Sequence, residues 1–104
     1  MSDGEIVPQH LSNHHRDTLL QLFQHPTSHN TRWPDVLSLL EAVGEAEPRP
    51  DGKYLVRLGG EAEVLTPPKY KDIDIQQVLD ARRMLTGAGY ATVVTELETK
   101  GKDV

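Results

Sequence analysis

Residues 52–66, with the sequence GKYLVRLGGEAEVLT, constrain the fold more than any other part of the chain. Polar and apolar residues alternate on both sides of Gly59-Gly60. Two glycines between such runs are typical of a β-hairpin with a two-residue loop. The pattern therefore predicts one strand over 53–58 and a second over 61–65.

The same alternation assigns the side chains of the hairpin to faces. One face of the first strand carries Tyr54, Val56 and Leu58, and one face of the second strand carries Ala62 and Val64. The opposite faces carry Arg57 and the glutamates Glu61 and Glu63. An ion pair between Arg57 and one of these glutamates is therefore expected across the ladder, where it would contribute up to about 1 kcal/mol.

Helical patterns flank the hairpin. The first is predicted over 12–24 with Ser12 as its N-cap, and the second over 32–43, with Thr31 as its cap and Gly44 as a left-handed stop. The last is predicted over 75–86: Asp74 and Gln77 form a capping box before it, and Gly87 or Gly89 ends it. A short strand is predicted over 45–49, restricted by Pro48 to a sheet edge or a strand end.

These elements predict an α+β fold, in which a three-stranded antiparallel sheet packs against helices in the order α-α-β-β-β-α. The predicted boundaries are a flexible N-terminus over 1–11, one domain over 12–90 and a C-terminal tail over 91–104. The tail begins with the β-rich run ATVVT and ends in charged residues. It is predicted to be mostly disordered or to add an edge strand.

Composition limits the compartment and the class of partner. The 104 residues include no cysteine and carry a formal net charge of −5. The N-terminus lacks an apolar run of signal-peptide length, and no stretch reaches the ~18 apolar residues of a membrane helix. A cytoplasmic protein without a membrane partner is therefore expected. An acidic chain has no overall attraction for nucleic acid, although basic residues concentrate within 49–83.

Residues 25–90 resemble the HicA-like toxin family. The residues that carry the resemblance are His25-Pro26, His29-Asn30, Trp33, Asp35-Val36, Leu39-Leu40, Gly44, Gly52, Pro67-Pro68, Lys71, Gln77, Val78, Arg82, Leu85 and Ala88-Gly89. The resemblance implies a fold like that of double-stranded-RNA-binding domains. It also implies a relation to small ribonucleases that cut mRNA and are paired with HicB antitoxins.

The resemblance places the family's catalytic histidine just after the glycine that opens the hairpin, in a sequence of the GSHH type. Here that stretch is Gly52-Lys53-Tyr54, and no histidine lies beyond His29. A second family segment, of the type HRPH, is Leu65-Thr66-Pro67-Pro68. The chain is therefore expected to keep the fold without ribonuclease activity, and no cofactor is expected.

Candidate contacts to RNA are the basic residues of the hairpin and of the loop before the last helix: Lys53, Arg57, Lys69 and Lys71. A helix N-terminus offers free N–H groups to phosphate, but Asp72 and Asp74 oppose an anion there. His25 and His29 are alternative catalytic bases, or else structural residues. His10 and His14 have the spacing of a helical metal pair but lack a third ligand, so no metal site is predicted.

Three functions follow as hypotheses. The first is an RNA-binding module that contacts backbone phosphates. The second is a protein-interaction or scaffold module, whose partner is a HicB-like antitoxin or another protein. The third is an active mRNA endoribonuclease that uses His25 or His29 as its base.

Overall fold

The computed structural model describes residues 11–27, 30–69 and 72–102, with side chains described up to residue 98. The elements are α1 (Asn13–Leu22), α2 (Trp33–Val43), β1 (Glu45–Pro48), β2 (Tyr54–Leu58), β3 (Glu61–Leu65), α3 (Ile75–Gly87) and α4 (Tyr90–Lys102). The strands form one antiparallel sheet in the order β1-β2-β3. The predicted α+β class with a three-stranded antiparallel sheet is therefore confirmed.

Two of the three predicted helix starts are confirmed. The Ser12 hydroxyl accepts a hydrogen bond from the His15 backbone N–H, and Asp74 and Gln77 form the complete capping box before α3. Thr31 is not the cap of α2, because the chain stays extended for one more residue: Arg32 forms an isolated β-bridge with Asp72. Thr31 is instead fully buried, and its carbonyl accepts a hydrogen bond from Ile73.

The hairpin loop is as predicted, but the faces of β3 are reversed. Gly59 and Gly60 have φ values of 59° and 90°, and Leu58 lies opposite Glu61. Residues that lie opposite each other share a face, so the glutamates of β3 follow the buried side of β2. The predicted pairing of Arg57 with Glu61 or Glu63 is therefore wrong.

A single core joins the helices to the sheet. Its buried apolar residues are Leu11, Leu19, Leu22, Val36, Leu39, Leu40, Val56, Leu58, Ile73, Val78, Ala81, Met84, Leu85, Ala88, Tyr90 and Val94. Leu11 belongs to this core, so the packed domain extends one residue beyond the predicted boundary at residue 12. Residues 1–10 lie outside the described part of the chain.

The C-terminal segment differs most from its prediction, since residues 90–102 form helix α4 instead of a disordered tail or an edge strand. Tyr90 and Val94 are each 4% exposed and lie one helical turn apart, so both enter the core from the same face. Their burial outweighs the β propensity of the ATVVT run. Burial also raises the pKa of the Tyr90 phenol. Within the described residues, no helix is long and apolar enough to span a bilayer.

Candidate functional site

Two helices begin near one end of the sheet. Tyr54 lies opposite both Pro48 and Leu65, so the β1–β2 turn and the segment after β3 leave the sheet at this end. The Trp33 ring, at the start of α2, lies 5.8 Å from the Tyr54 ring. We call this region, where α2 and α3 begin, the helix-start end.

A pocket of about 170 Å³ opens at the helix-start end, between α2, β3 and α3. We call it the helix-start pocket. Its apolar wall includes Trp33, Val36, Leu65, Ile73 and Ala81. Trp33 and Leu65 are only half-buried, so the pocket is open to solvent on this side. Such a concave, mostly apolar surface suits a side chain or a small ligand.

The polar side of the pocket is fixed by α3. The Gln77 side chain accepts a hydrogen bond from the Asp74 backbone N–H (3.0 Å) and donates one to the Thr66 carbonyl (2.7 Å). Its position is therefore set by the helix cap and by the chain leaving β3. One turn further along, the Asp80 Oδ1 atom accepts a hydrogen bond from Gln76 (3.1 Å).

Arg83 lies beside Asp80 but is held by another residue. Its Nη2 atom lies 2.8 Å and 3.1 Å from the two carboxylate oxygens of Glu63, and 3.6 Å from Asp80. The hydrogen bond and the charge of Glu63 raise the pKa of Arg83. Glu63 is therefore the main partner of this cation, and the contact with Asp80 is the longer one.

The structure brings together only some of the predicted RNA contacts. Lys53 and Lys69 are exposed at the helix-start end, beside the β1–β2 turn and the loop before α3. Arg57 lies nearer the opposite end of β2, where its guanidinium is 3.4 Å from Glu45 and 3.5 Å from Glu47 of β1. Lys71 lies outside the described residues.

His25 is not among the residues that line the pocket. His25 is exposed in the segment that follows α1, away from the sheet, and His29 lies outside the described residues. His10, which has helical spacing to His14, also lies outside them. In residues 11–27, 30–69 and 72–102, no group of three or more potential metal ligands is found.

Two polar contacts join α1 to α2 and were not predicted from the sequence. His15 Nε2 lies 2.9 Å from the Ser38 hydroxyl, and His14 Nε2 lies 3.2 Å from Asp35. A catalytic serine needs its carboxylate on the histidine that contacts it. Here the carboxylate contacts the other histidine, so the arrangement joins two helices and does not form a triad. The helical spacing of Asp35 and Ser38 is the only sequence signal for it.

No family model, no curated protein and no solved structure matches this chain. The resemblance of residues 25–90 to HicA-like toxins therefore stays a prediction.

Proposed function

We propose that this domain is a protein-interaction module that keeps a HicA-like fold as its scaffold and binds its partner at the helix-start pocket. The main support for this proposal is the pocket, in which the half-buried Trp33 borders an apolar recess. Tryptophan is enriched among the residues that dominate binding energy, and such anchors lie in well-packed pockets. A HicB-like antitoxin or another protein is the expected class of partner.

The charges also favour a protein partner. Binding to an RNA backbone requires several basic side chains that are free to neutralise phosphates. Arg57, one of the candidates, already contacts two glutamates, and the whole chain has a net charge of −5. At the position where the resemblance expects a catalytic histidine, the Tyr54 ring packs against Trp33. We therefore propose binding without ribonuclease activity.

The proposal predicts that Trp33 anchors the partner. Peptides selected from a random library on the full chain are expected to shift the fluorescence of Trp33, the only tryptophan. Trp33→Ala is expected to weaken their binding about tenfold or more, because it removes the aromatic wall of the pocket. Titration followed by two-dimensional NMR measures both affinity and location.

Leu79→Ala is the matched control for this experiment. Leu79 is an apolar side chain of α3 that is 40% exposed and is not part of the pocket wall. Its truncation should leave peptide affinity unchanged, and circular dichroism checks that both variants remain folded. Selected peptides that bind Trp33→Ala as tightly as the wild type would overturn the proposed site.

RNA binding is a second candidate, favoured by one observation. Lys53 and Lys69 are both exposed at the helix-start end, the end of the sheet where α3 begins. Lysines at such a position can contact backbone phosphates across a groove of double-stranded RNA. Asp74 opposes this role, because its carboxylate already accepts the Gln77 backbone N–H at the start of the helix.

This second candidate predicts salt-dependent binding of double-stranded RNA of about 16 base pairs. The double variant Lys53→Ala, Lys69→Ala should reduce the slope of log affinity against log salt by about two, one for each lost phosphate contact. Arg57→Ala should leave affinity unchanged, because its guanidinium contacts Glu45 and Glu47. Fluorescence anisotropy measures the RNA affinity of the wild type and of both variants.

The absence of wild-type binding at about 50 mM salt would eliminate the RNA candidate, because phosphate contacts are strongest at low salt. The RNA recovered from the titration also tests the third hypothesis. It should be intact on a denaturing gel. Cleavage that is lost in His25→Ala or His29→Ala would instead identify the domain as a ribonuclease.

A further inference from the structure

We propose that the helix-start pocket receives a basic side chain, arginine or lysine, from the partner protein. This inference rests on the proposed function and specifies the chemistry of the group that is bound. The pocket volume of about 170 Å³ is well below the ~300–1,000 Å³ of typical small-molecule sites. A single long side chain is therefore a better match in size than a cofactor.

The wall of the pocket suits the stem of such a side chain. Arginine and lysine bury their methylene groups along apolar surface and keep the charged head at the edge. Leu65, Ile73 and Ala81 supply apolar surface for the stem. Trp33 supplies an aromatic ring, and a cation over an indole face is the most favourable of the cation–aromatic contacts.

Charge selects a cation over a neutral or acidic group. Among the described residues that line the pocket, Asp80 is the only one with a formal charge. Both of its polar contacts with described residues, to Gln76 and to Arg83, are made by Oδ1. The Arg83 guanidinium lies closer to Glu63 than to Asp80, so Arg83 neutralises the charge of Glu63 more than that of Asp80. Asp80 and Glu63 thus share one cation, which leaves a net charge of −1 on the three side chains, and a cationic head in the pocket would meet a carboxylate that is only partly balanced.

Small probes test this inference on the full chain. The probes are the N-acetyl methylamides of arginine, lysine, norleucine and glutamate, and the signal is the indole N–H resonance of Trp33. Arginine and lysine are expected to give saturable shifts, whereas norleucine, which keeps the stem but lacks the charge, should bind about fivefold more weakly. Glutamate should bind most weakly, because Asp80 repels it.

Asp80→Asn tests the role of the carboxylate with little change in shape. It should weaken arginine binding about fivefold and leave norleucine binding unchanged. Glu41→Gln is the matched control, since it removes the same charge from an exposed position near the other end of α2. This control should not change the affinity for either probe.

The outcomes separate the inference from the proposed function. If norleucine binds as tightly as arginine, or if Asp80→Asn has no effect, the basic occupant is wrong. The proposed function then survives as long as peptide binding still depends on Trp33. Selected peptides that bind at Trp33 but contain no arginine or lysine also overturn the inference alone. Peptide binding that is independent of Trp33 overturns both.

Discussion

Replacing Gly44 by alanine should lower the free energy of unfolding by about 3 kcal/mol or more, the upper range for inserting atoms into a packed site. A Cβ atom at this position would overlap the Arg57 carbonyl oxygen and lie 3.0 Å from Leu58 Cδ1. The carbonyl cannot easily move away, because β2 is the central strand and is paired on both sides. Urea denaturation followed by Trp33 fluorescence measures the loss.

Glycine is required at position 44 because an added Cβ atom has no room there. Its φ is −159°, outside the left-handed region, so the predicted left-handed stop is wrong. Gly52 and Gly60 give the complementary controls: both have positive φ, and an added Cβ atom would meet nothing within 4 Å at either site. Their alanine variants should each lose about 1 kcal/mol, from backbone strain alone. A Gly44→Ala variant as stable as these two would contradict the steric argument.

Local chemistry explains why much of the fold could be predicted from the sequence. A glycine pair sets a hairpin loop, and a serine or an aspartate at a helix start satisfies free N–H groups within a few residues. The caps at Ser12 and Asp74 and the loop at Gly59-Gly60 are all signals of this kind. Each depends on neighbours in the sequence and not on the rest of the fold.

Features that depend on distant residues could not be predicted in this way. The ATVVT run has high β propensity, yet Tyr90 and Val94 form part of a helix because the core accepts them there. Alternation alone assigns the glutamate partners of Arg57 to β3, but register places Arg57 opposite Glu45 of β1. That pairing also changes the functional interpretation, because a neutralised arginine is a poor phosphate contact.

The helix-start pocket could not be predicted from the sequence for the same reason. Trp33, Leu65 and Asp80 come from three different elements, and only the folded chain places them around one recess. In the sequence, Trp33 falls on the same apolar stripe of α2 as Val36 and Leu40, a spacing that favours burial. The structure leaves it half-buried, so one aromatic residue both packs against Tyr54 and borders the pocket.

Arg82→Ala should lower the free energy of unfolding by about 1.5–3 kcal/mol, the range for hydrogen bonds made by a charged group. Arg82 Nε donates to the Leu22 carbonyl at 2.8 Å, which joins α3 to the last turn of α1 across 60 residues of sequence. Its Nη2 atom lies 3.4 Å from the Thr27 hydroxyl, and its guanidinium lies over the Phe23 ring. Removing the side chain leaves a part-buried carbonyl without its donor.

Arg83→Ala is the natural control, because the neighbouring side chain has the same charge but a different environment. Arg83 is 56% exposed, and its polar contacts with described residues are to surface carboxylates, where ion pairs contribute little to stability. The stability lost in Arg83→Ala should be close to the error of a urea titration. Arg82→Lys should recover only part of the stability, since lysine lacks the planar group that donates in several directions. Equal losses for Arg82→Ala and Arg83→Ala would show that charge, and not the contact with α1, sets the contribution of this pair.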